Sequence, residues 1–339
     1  MEAIVLQRLK ETIALRVQNI SSFLSNAPPS TIKLRVGPAD EKAVAQELEM
    51  LQTTIQKVED NTIGLCEVCN EYIETSRLEM DYTACVCLEH LSGEERTNLE
   101  NDLELSAKVQ QALFPHAPPR IQNIELAAFS QPARIVGGDY FDFLQFKDGS
   151  HAIVIADVMG KGMPASMLMA SLQASLRIIA PESKEPSEVV ARLNSIFCHN
   201  IRLTNFVTLF LAKYNEYTKT LTYCNAGHNP PVMMKKSAEL VSMEPTGAAI
   251  GLIEQTSFEQ RTIDLEENDA VLMYTDGIVE SFNSQKEMFG QERLEQYLRS
   301  SFQKSAQQII SGLREILHQF TETTVPADDT TVIAMKVLG

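Results

Sequence analysis

The sequence predicts an α+β chain of two or three units, and three observations carry that reading. Helical apolar spacing dominates the first third of the 339 residues. Four of the six cysteines crowd between Cys66 and Cys87. From residue 121 the texture changes to short β-rich runs. Strands in series with a few inserted helices suggest layered sheets rather than a regular βαβ repeat.

The elements follow in order. A first helix is expected over about 2–26, ending before "NAPPS", where Pro28 and Pro29 break it. A second starts near Asp40, with Val44, Leu48, Leu51 and Ile55 at helical spacing. The two make an α-helical hairpin. In "SGEERTNLENDLELSAKVQQALFPHAPP", Ser92 and Glu95 fit a capping box and Pro115 marks the end. Its stripe of Leu99, Leu103, Leu105, Val109 and Leu113 fits a helix packed on a neighbour, or a dimerising signalling helix. The β-rich runs are "IELAAFS", "HAIVIADV", "VTLFLAKY", "LTYCNAG", "DAVLMYTDG" and "TTVIAMKV". Helices are expected near 164–180 and 186–202, with one helical stretch over about 290–320. The domain bounds are therefore 1–91, 92–120 as a linker helix, and 121–339.

Composition narrows the function. A formal charge of −16 disfavours nucleic acid as a partner, because phosphate contacts need clustered Lys and Arg. It leaves room for cation sites built from acidic side chains. No apolar run reaches the length of a membrane span. The start, "MEAIVLQRLKETIALRVQNI", reads as an amphipathic helix rather than a signal peptide. The expected location is cytoplasmic, with no membrane contact.

Clustered cysteines in such a chain suggest a metal rather than disulfides. In "CEVCNEYIETSRLEMDYTACVCLEH", Cys66 and Cys69 form a CxxC knuckle, and Cys85, Cys87 and His90 compete for two further places. Cys198 and Cys224 stand apart, in apolar surroundings that suit core thiols. Over about 38–90 the chain resembles the DksA/TraR-type zinc finger, through "ELEMLQTTIQKVEDNTIGLCEVC", "RLE" and the second ligand pair. That resemblance implies one structural Zn²⁺ on Cys66, Cys69, Cys87 and His90, with Cys85 as an extra thiol. The family acts on RNA polymerase through a DxxDxA-type tip. The matching stretch here, "GPADEKA", lacks the first Asp and carries Lys42, so a regulatory or docking domain is the expectation.

"IADVMGKGMPAS" looks like a phosphate-gripping loop, but its spacing rejects this. Gly162 follows Lys161 where a P-loop needs Ser or Thr, and Met163, Pro164 and Ala165 break a GxGxxG. Asp157 remains, at the end of an apolar strand. Asp139 follows two glycines, Asp276 ends "AVLMYTD", and Asp328 and Asp329 precede "TTVIAMKV". Four strand ends each offering a carboxylate suggest a shared site for hard cations, Mg²⁺ or Mn²⁺.

With these motifs assembled, residues 105–339 resemble the PPM-type metal-dependent serine/threonine phosphatases, the SpoIIE/RsbU branch above all. "ARIVGGDYFDF", "IADVMGKGMPASMLMA", "FVTLFLAKY", "LTYCNAGHNPPV", "GAAIGL", "LMYTDGIVES" and "DDTTVIAMKV" occur in order, and "LELSAKVQQALFP" is similar to that branch's signal-transmitting linker. The resemblance implies an αββα sandwich, two mostly antiparallel sheets flanked by helices. It implies that Asp157 bridges two Mn²⁺ or Mg²⁺ ions with the Val158 carbonyl as a further ligand. Asp276 and Asp328 complete one shell, Asp139 serves the other ion, and Asp329 lies outside. A hydroxide bridging the ions attacks phosphoserine or phosphothreonine in line. Two roles are open for His228, leaving-group acid or turn residue, and two for Asp142, orienting metal waters or closing a strand turn. Lys161 either attracts phosphate or is an ordinary exposed lysine. The implied substrate is a phosphorylated STAS-type anti-sigma-factor antagonist, with an upstream signalling partner for the first domain and a homodimer through the linker. The alternative is a transcription-associated binding protein using its zinc domain, with the phosphatase domain as sensor or scaffold.

Overall fold

A computed structural model of the chain describes residues 53–57, 60, 62–74, 84–200, 206–323 and 326–339. The expected helices over 2–26 and from Asp40 lie outside these, apart from a helical stretch at 53–57. The chain divides into two compact units, Met1–Glu100 and Asn101–Gly339.

In the first unit the Cys66–Cys69 knuckle closes on itself. The Cys66 N–H donates to the Glu71 carbonyl at 2.8 Å, and the Asn70 N–H donates to the Cys66 carbonyl at 2.9 Å. Asn70 takes the left-handed backbone (φ 60°) that this reversal requires, a conformation Asn tolerates well. The Glu67 N–H then bonds the Cys85 carbonyl at 2.9 Å, drawing in the second half of the segment. A single 3₁₀ turn, Leu88–His90, follows Cys87.

The second unit holds two five-stranded sheets. Helix α1 (Gly93–Leu113) contains the boundary between the units, and strand β1 (Ile124–Gln131) follows it. Next come β2 (Tyr140–Gln145), β3 (His151–Val158), α2 (Met163–Ile179) and α3 (Pro186–Asn200). Strands β4 (Val207–Asn215), β5 (Thr220–Ala226), β6 (Val232–Met234), β7 (Leu240–Ser242), β8 (Arg261–Asp264) and β9 (Ala270–Tyr274) follow. The chain ends with α4 (Asp276–Val279), α5 (Gly290–Ser301), α6 (Ala306–Thr321) and β10 (Thr330–Val337). One sheet runs β1-β10-β9-β6-β7 and the other β2-β3-β4-β5-β8. Every pairing within them is antiparallel.

Alternation along the strands sets the layers, because successive side chains point to opposite faces. In β3, Ile153 and Ile155 enter the core between the sheets, where they meet Phe210 of β4, Met273 of β9 and Ile333 of β10. Ala152, Val154 and Ala156 face the other way, into a core with Met169, Leu172 and Leu176 of α2 and Val189, Leu193 and Phe197 of α3. Leu272 and Val332 of the first sheet pack on Leu294 and Leu298 of α5 and Ile309, Leu313 and Leu317 of α6. Burial on both faces explains why β3 reads as a continuous apolar run. Each fully buried Ile or Leu here contributes about 1.5–3 kcal/mol. The result is the αββα sandwich.

Two sequence expectations change. The single helical stretch over 290–320 is two helices: Ser305 caps α6, its hydroxyl accepting the Gln308 N–H while the Gln308 side chain accepts the Ser305 N–H. That reciprocal cap starts a new helix where a continuous one was expected. The apolar stripe of α1 is also turned. Leu105 and Val109 are 60% and 56% exposed, whereas Gln110 is buried.

Gly277 shows how tightly the sandwich closes at one end. A Cβ there would lie 2.0 Å from the Asp329 carbonyl oxygen. Gly277→Ala is expected to cost about 1–3 kcal/mol through overpacking, read as a lower denaturant midpoint. An unchanged midpoint refutes this.

Candidate active site and a cysteine–histidine cluster

Four loops at strand ends carry the acidic residues. Asp139 immediately precedes β2, and Asp157 is the penultimate residue of β3. Asp276 opens α4 directly after β9, and Asp328 and Asp329 lead into β10. Because β2 pairs with β3 and β9 pairs with β10, each sheet supplies two of the four loops.

Asp139 is the most enclosed, at 4% exposure. Its Oδ2 accepts the Thr275 hydroxyl at 2.7 Å, and its Oδ1 has no partner although it is buried. Burial and then the charges of Asp157 and Asp329 push its carboxyl well above the usual range. Asp157 is raised to about 7, first by burial and then by Asp276, Asp328 and Asp329, with Lys161 opposing. Asp276 is raised too, by burial and then by Asp328 and Glu280. These residues therefore share one electrostatic environment and destabilise one another's charge.

The Val158 carbonyl faces the same region. A Cβ on Gly138 would come within 2.7 Å of that oxygen, so the glycine before Asp139 lets the two backbones approach. Gly160 and Gly162 have φ of 105° and 72°, which only glycine adopts readily; they turn β3 sharply into α2. Lys161 between them is ion-paired, its Nζ lying 2.8 Å from Asp328 Oδ2 and donating to the Ala327 carbonyl at 3.2 Å.

Contacts describe two residues whose roles the sequence left open. His228 is 1% exposed, its Nδ1 lies 2.9 Å from the Thr208 hydroxyl, and burial drops its pKa to about 3. It is a neutral histidine holding its loop, with Asn225 bonding both its N–H and its carbonyl. Asp142 is buried within β2, accepts the Tyr140 hydroxyl, and pairs with Arg177 of α2 at 3.0 Å, so it ties the strand to that helix rather than closing a strand turn.

Thr275 and Gln110 escaped sequence reasoning, and Asp329, expected only to lie outside the metal shell, has a positioning contact. Thr275, fully buried, both donates to Asp139 and accepts the Thr331 N–H at 2.9 Å. Asp329 accepts the Ala133 N–H at 2.8 Å and the Gly138 N–H at 2.6 Å, fixing the loop that delivers Asp139. Gln110 of α1 clamps Gly137 from both sides, donating to its carbonyl at 2.6 Å and accepting its N–H at 3.0 Å. A threonine inside a β-rich run and a glutamine inside a helix give no sequence signal of such duties.

In the first unit, Cys66, Cys69, Cys87 and His90 are the one group among the described residues whose donor atoms all lie within 4.8 Å of one another. The aspartates spread wider, as like charges do. Cys87 Sγ lies 3.0 Å from His90 Nδ1, and Cys69 Sγ lies 4.0 Å from Cys87 Sγ. Cys85 is not in the group. Burial pushes the Cys66 thiol up, but backbone N–H groups of Cys87, Cys69 and Val68 outweigh it and bring it to about 6. A thiol poised toward thiolate is what a soft-metal ligand requires.

Residues 147–338 match the family model of Stage II sporulation protein E (SpoIIE), which is more than half of the chain. The phosphoserine phosphatase RsbU of Bacillus subtilis is 27% identical over 239 residues, covering 70% of this chain and 70% of RsbU. The fold is that of the SiaA PP2C domain of Pseudomonas aeruginosa, at a TM-score of 0.64 and 16% identity, covering 71% of this chain and 98% of that one. RsbX, solved in complex with magnesium, superposes at a TM-score of 0.50 and 19% identity, covering 65% and 98%. The chain therefore belongs to the SpoIIE family, and its second unit has the PP2C phosphatase fold.

Proposed function

We propose that the chain hydrolyses phosphoserine or phosphothreonine on a regulatory protein, holding two Mn²⁺ or Mg²⁺ ions with Asp139, Asp157, the Val158 carbonyl, Asp276 and Asp328. One observation carries the reading: a buried, unpartnered Asp139 oxygen sits in a field of carboxylates whose charges raise one another's pKa. Buried like charges are costly unless a cation compensates them, and an all-oxygen donor set fits hard divalent ions. Ions bound there lower the pKa of water and neutralise phosphoryl charge.

The protein's own residues do the positioning. Thr275 fixes one Asp139 oxygen and leaves the other free for a ligand role. Asp329 holds the Gly138 amide rather than serving as a ligand itself. Lys161, paired with Asp328, places a cation at the mouth of the loop. His228 stays neutral at physiological pH and holds its loop rather than donating a proton.

The substrate we favour is a STAS-type anti-sigma-factor antagonist, supported by the similarity to RsbU. The bounds 1–91, 92–120 and 121–339 serve as sensor, linker and phosphatase. The linker helix α1 passes a signal to Asp139 through the Gln110 clamp on Gly137. Its exposed Leu105 and Val109, four residues apart, suit a homodimer seam. Cys66, Cys69, Cys87 and His90 hold one structural Zn²⁺ in a DksA/TraR-like domain that docks an upstream partner. No helix of the described residues is long and apolar enough to cross a membrane, and we place the protein in the cytoplasm, without nucleic acid.

Mn²⁺-dependent phosphate release from a phosphoserine protein tests the central reading. Asp157→Asn is expected to lower it by at least about 100-fold, near the scale of losing one key electrostatic group. Wild-type rates from the variant, or no Mn²⁺ dependence, overturn the assignment.

The raised Asp157 pKa gives a second test, on the chelated protein. Its folded value, about 7, lies above the ordinary value of about 3.9, so its protonated form favours folding. That contribution is full below about pH 4 and disappears as pH rises through about 7. The melting temperature of wild type, relative to Asp157→Asn, is expected to fall between about pH 4 and pH 7. A flat difference contradicts the crowding of charge.

For zinc, elemental analysis is expected to find roughly one ion per chain, lost in Cys66→Ser and His90→Ala but retained in Cys85→Ser. A zinc-free wild type, or a loss on Cys85→Ser equal to that on Cys66→Ser, removes the ligand assignment.

A further inference from the structure

A cavity of about 380 Å³ lies beside the loop that carries Asp328. Its walls include Phe129 of β1, Ser281 and Phe282 after α4, Arg314 and His318 of α6, and Ala327. Ala327 directly precedes Asp328. The Ser281 hydroxyl donates to the Gly277 carbonyl at 2.7 Å, next to Asp276. The cavity thus adjoins two of the four acidic loops.

Its charge runs against that of the protein. The chain carries 45 acidic and 29 basic residues, yet no wall residue is acidic. Arg314, Leu317, His318 and Thr321 fall at i, i+3, i+4 and i+7, so α6 turns one face with both Arg314 and His318 to the cavity. The Arg314 guanidinium lies 3.8 Å from the centroid of the Phe129 ring, which fixes its stem by a cation–π contact. Among the described residues Arg314 makes no ion pair, so the edge of its fork is free for an anion. Phe282, 50% exposed, adds an apolar surface at the cavity wall.

We propose that this cavity binds a carboxylate side chain of the protein substrate, close in sequence to the phosphorylated residue, through Arg314 and His318. The proposal rests on the phosphatase reading above and names the sequence context that the site selects. A planar guanidinium suits bidentate capture of a carboxylate, and an imidazole beside it supplies a further donor. The pocket so defined selects substrates by charge flanking the phosphate, while the metal loops see only the phosphoryl group.

Two phosphoserine peptides of equal length test it, one with Glu and one with Gln on both sides of the phosphoserine. The full chain with Mn²⁺ is assayed for the ratio of their kcat/KM values. Wild type is expected to favour the Glu peptide about three- to fivefold, the scale of one exposed ion pair. Arg314→Gln is expected to bring the ratio to about one, Arg314→Lys to keep part of it, and Arg314→Glu to reverse it. His318→Gln, on an exposed helix position, is expected to lower the ratio without dependence on the Phe129 stacking. A wild-type ratio near one, or a preference that Arg314→Gln leaves intact in a variant melting like wild type, overturns the pocket alone. Turnover of neither peptide, nor of any phosphoprotein, sinks the phosphatase reading and the pocket with it.

Discussion

Like charges held close inside a protein repel, and folding must supply whatever keeps them there. In this chain the repulsion falls on Asp139, Asp157, Asp276 and Asp328, the residues around which the second unit closes. The sheets answer it with rigid attachment. Asp157 rides on a strand buried on both faces, and Asp139 is pinned by the Thr275 hydroxyl and the Asp329–Gly138 bond. Without that scaffold the carboxylates would relax apart or protonate. With it they stay close enough for burial and mutual charge to raise the pKa values of Asp139, Asp157 and Asp276.

The same constraint explains the neighbouring choices. Gly137, Gly138 and Gly277 all abut Asp329 or the Val158 carbonyl at distances no side chain could accept. Thr275 ties together the β9 and β10 ends while bonding Asp139. His228 is kept neutral by burial, so it adds no charge to an environment already dominated by charge.

Much of this was legible in the sequence because the informative residues are chemically distinctive. Asp at the end of an apolar strand is costly, and its repetition in "VGGDY", "IADV", "YTDG" and "DDTT" pointed to the candidate site. The strong strands β1, β3, β4, β5, β9 and β10 were visible as apolar or β-branched runs. β6, β7 and β8 were not, being three or four residues long. β2, the strand "YFDFLQ", was masked by its proximity to the glycines and by its buried Asp142. The break between α5 and α6 was missed because Ser305 acts through a cap, and a lone serine in a polar stretch is ambiguous. The phase of α1 was misread because a buried glutamine looks, in one dimension, like a surface residue.

β3 has one more consequence. A strand gripped by two cores has little slack, so Asp157 inherits the stiffness of the whole sandwich. Its coordinates are set jointly by Met169 and Leu172 on one side and by Phe210 and Met273 on the other. The tolerance of Asp157's position is therefore machined by apolar packing on both faces of β3. A methylene lost from either layer registers as misalignment at a carboxylate it never touches.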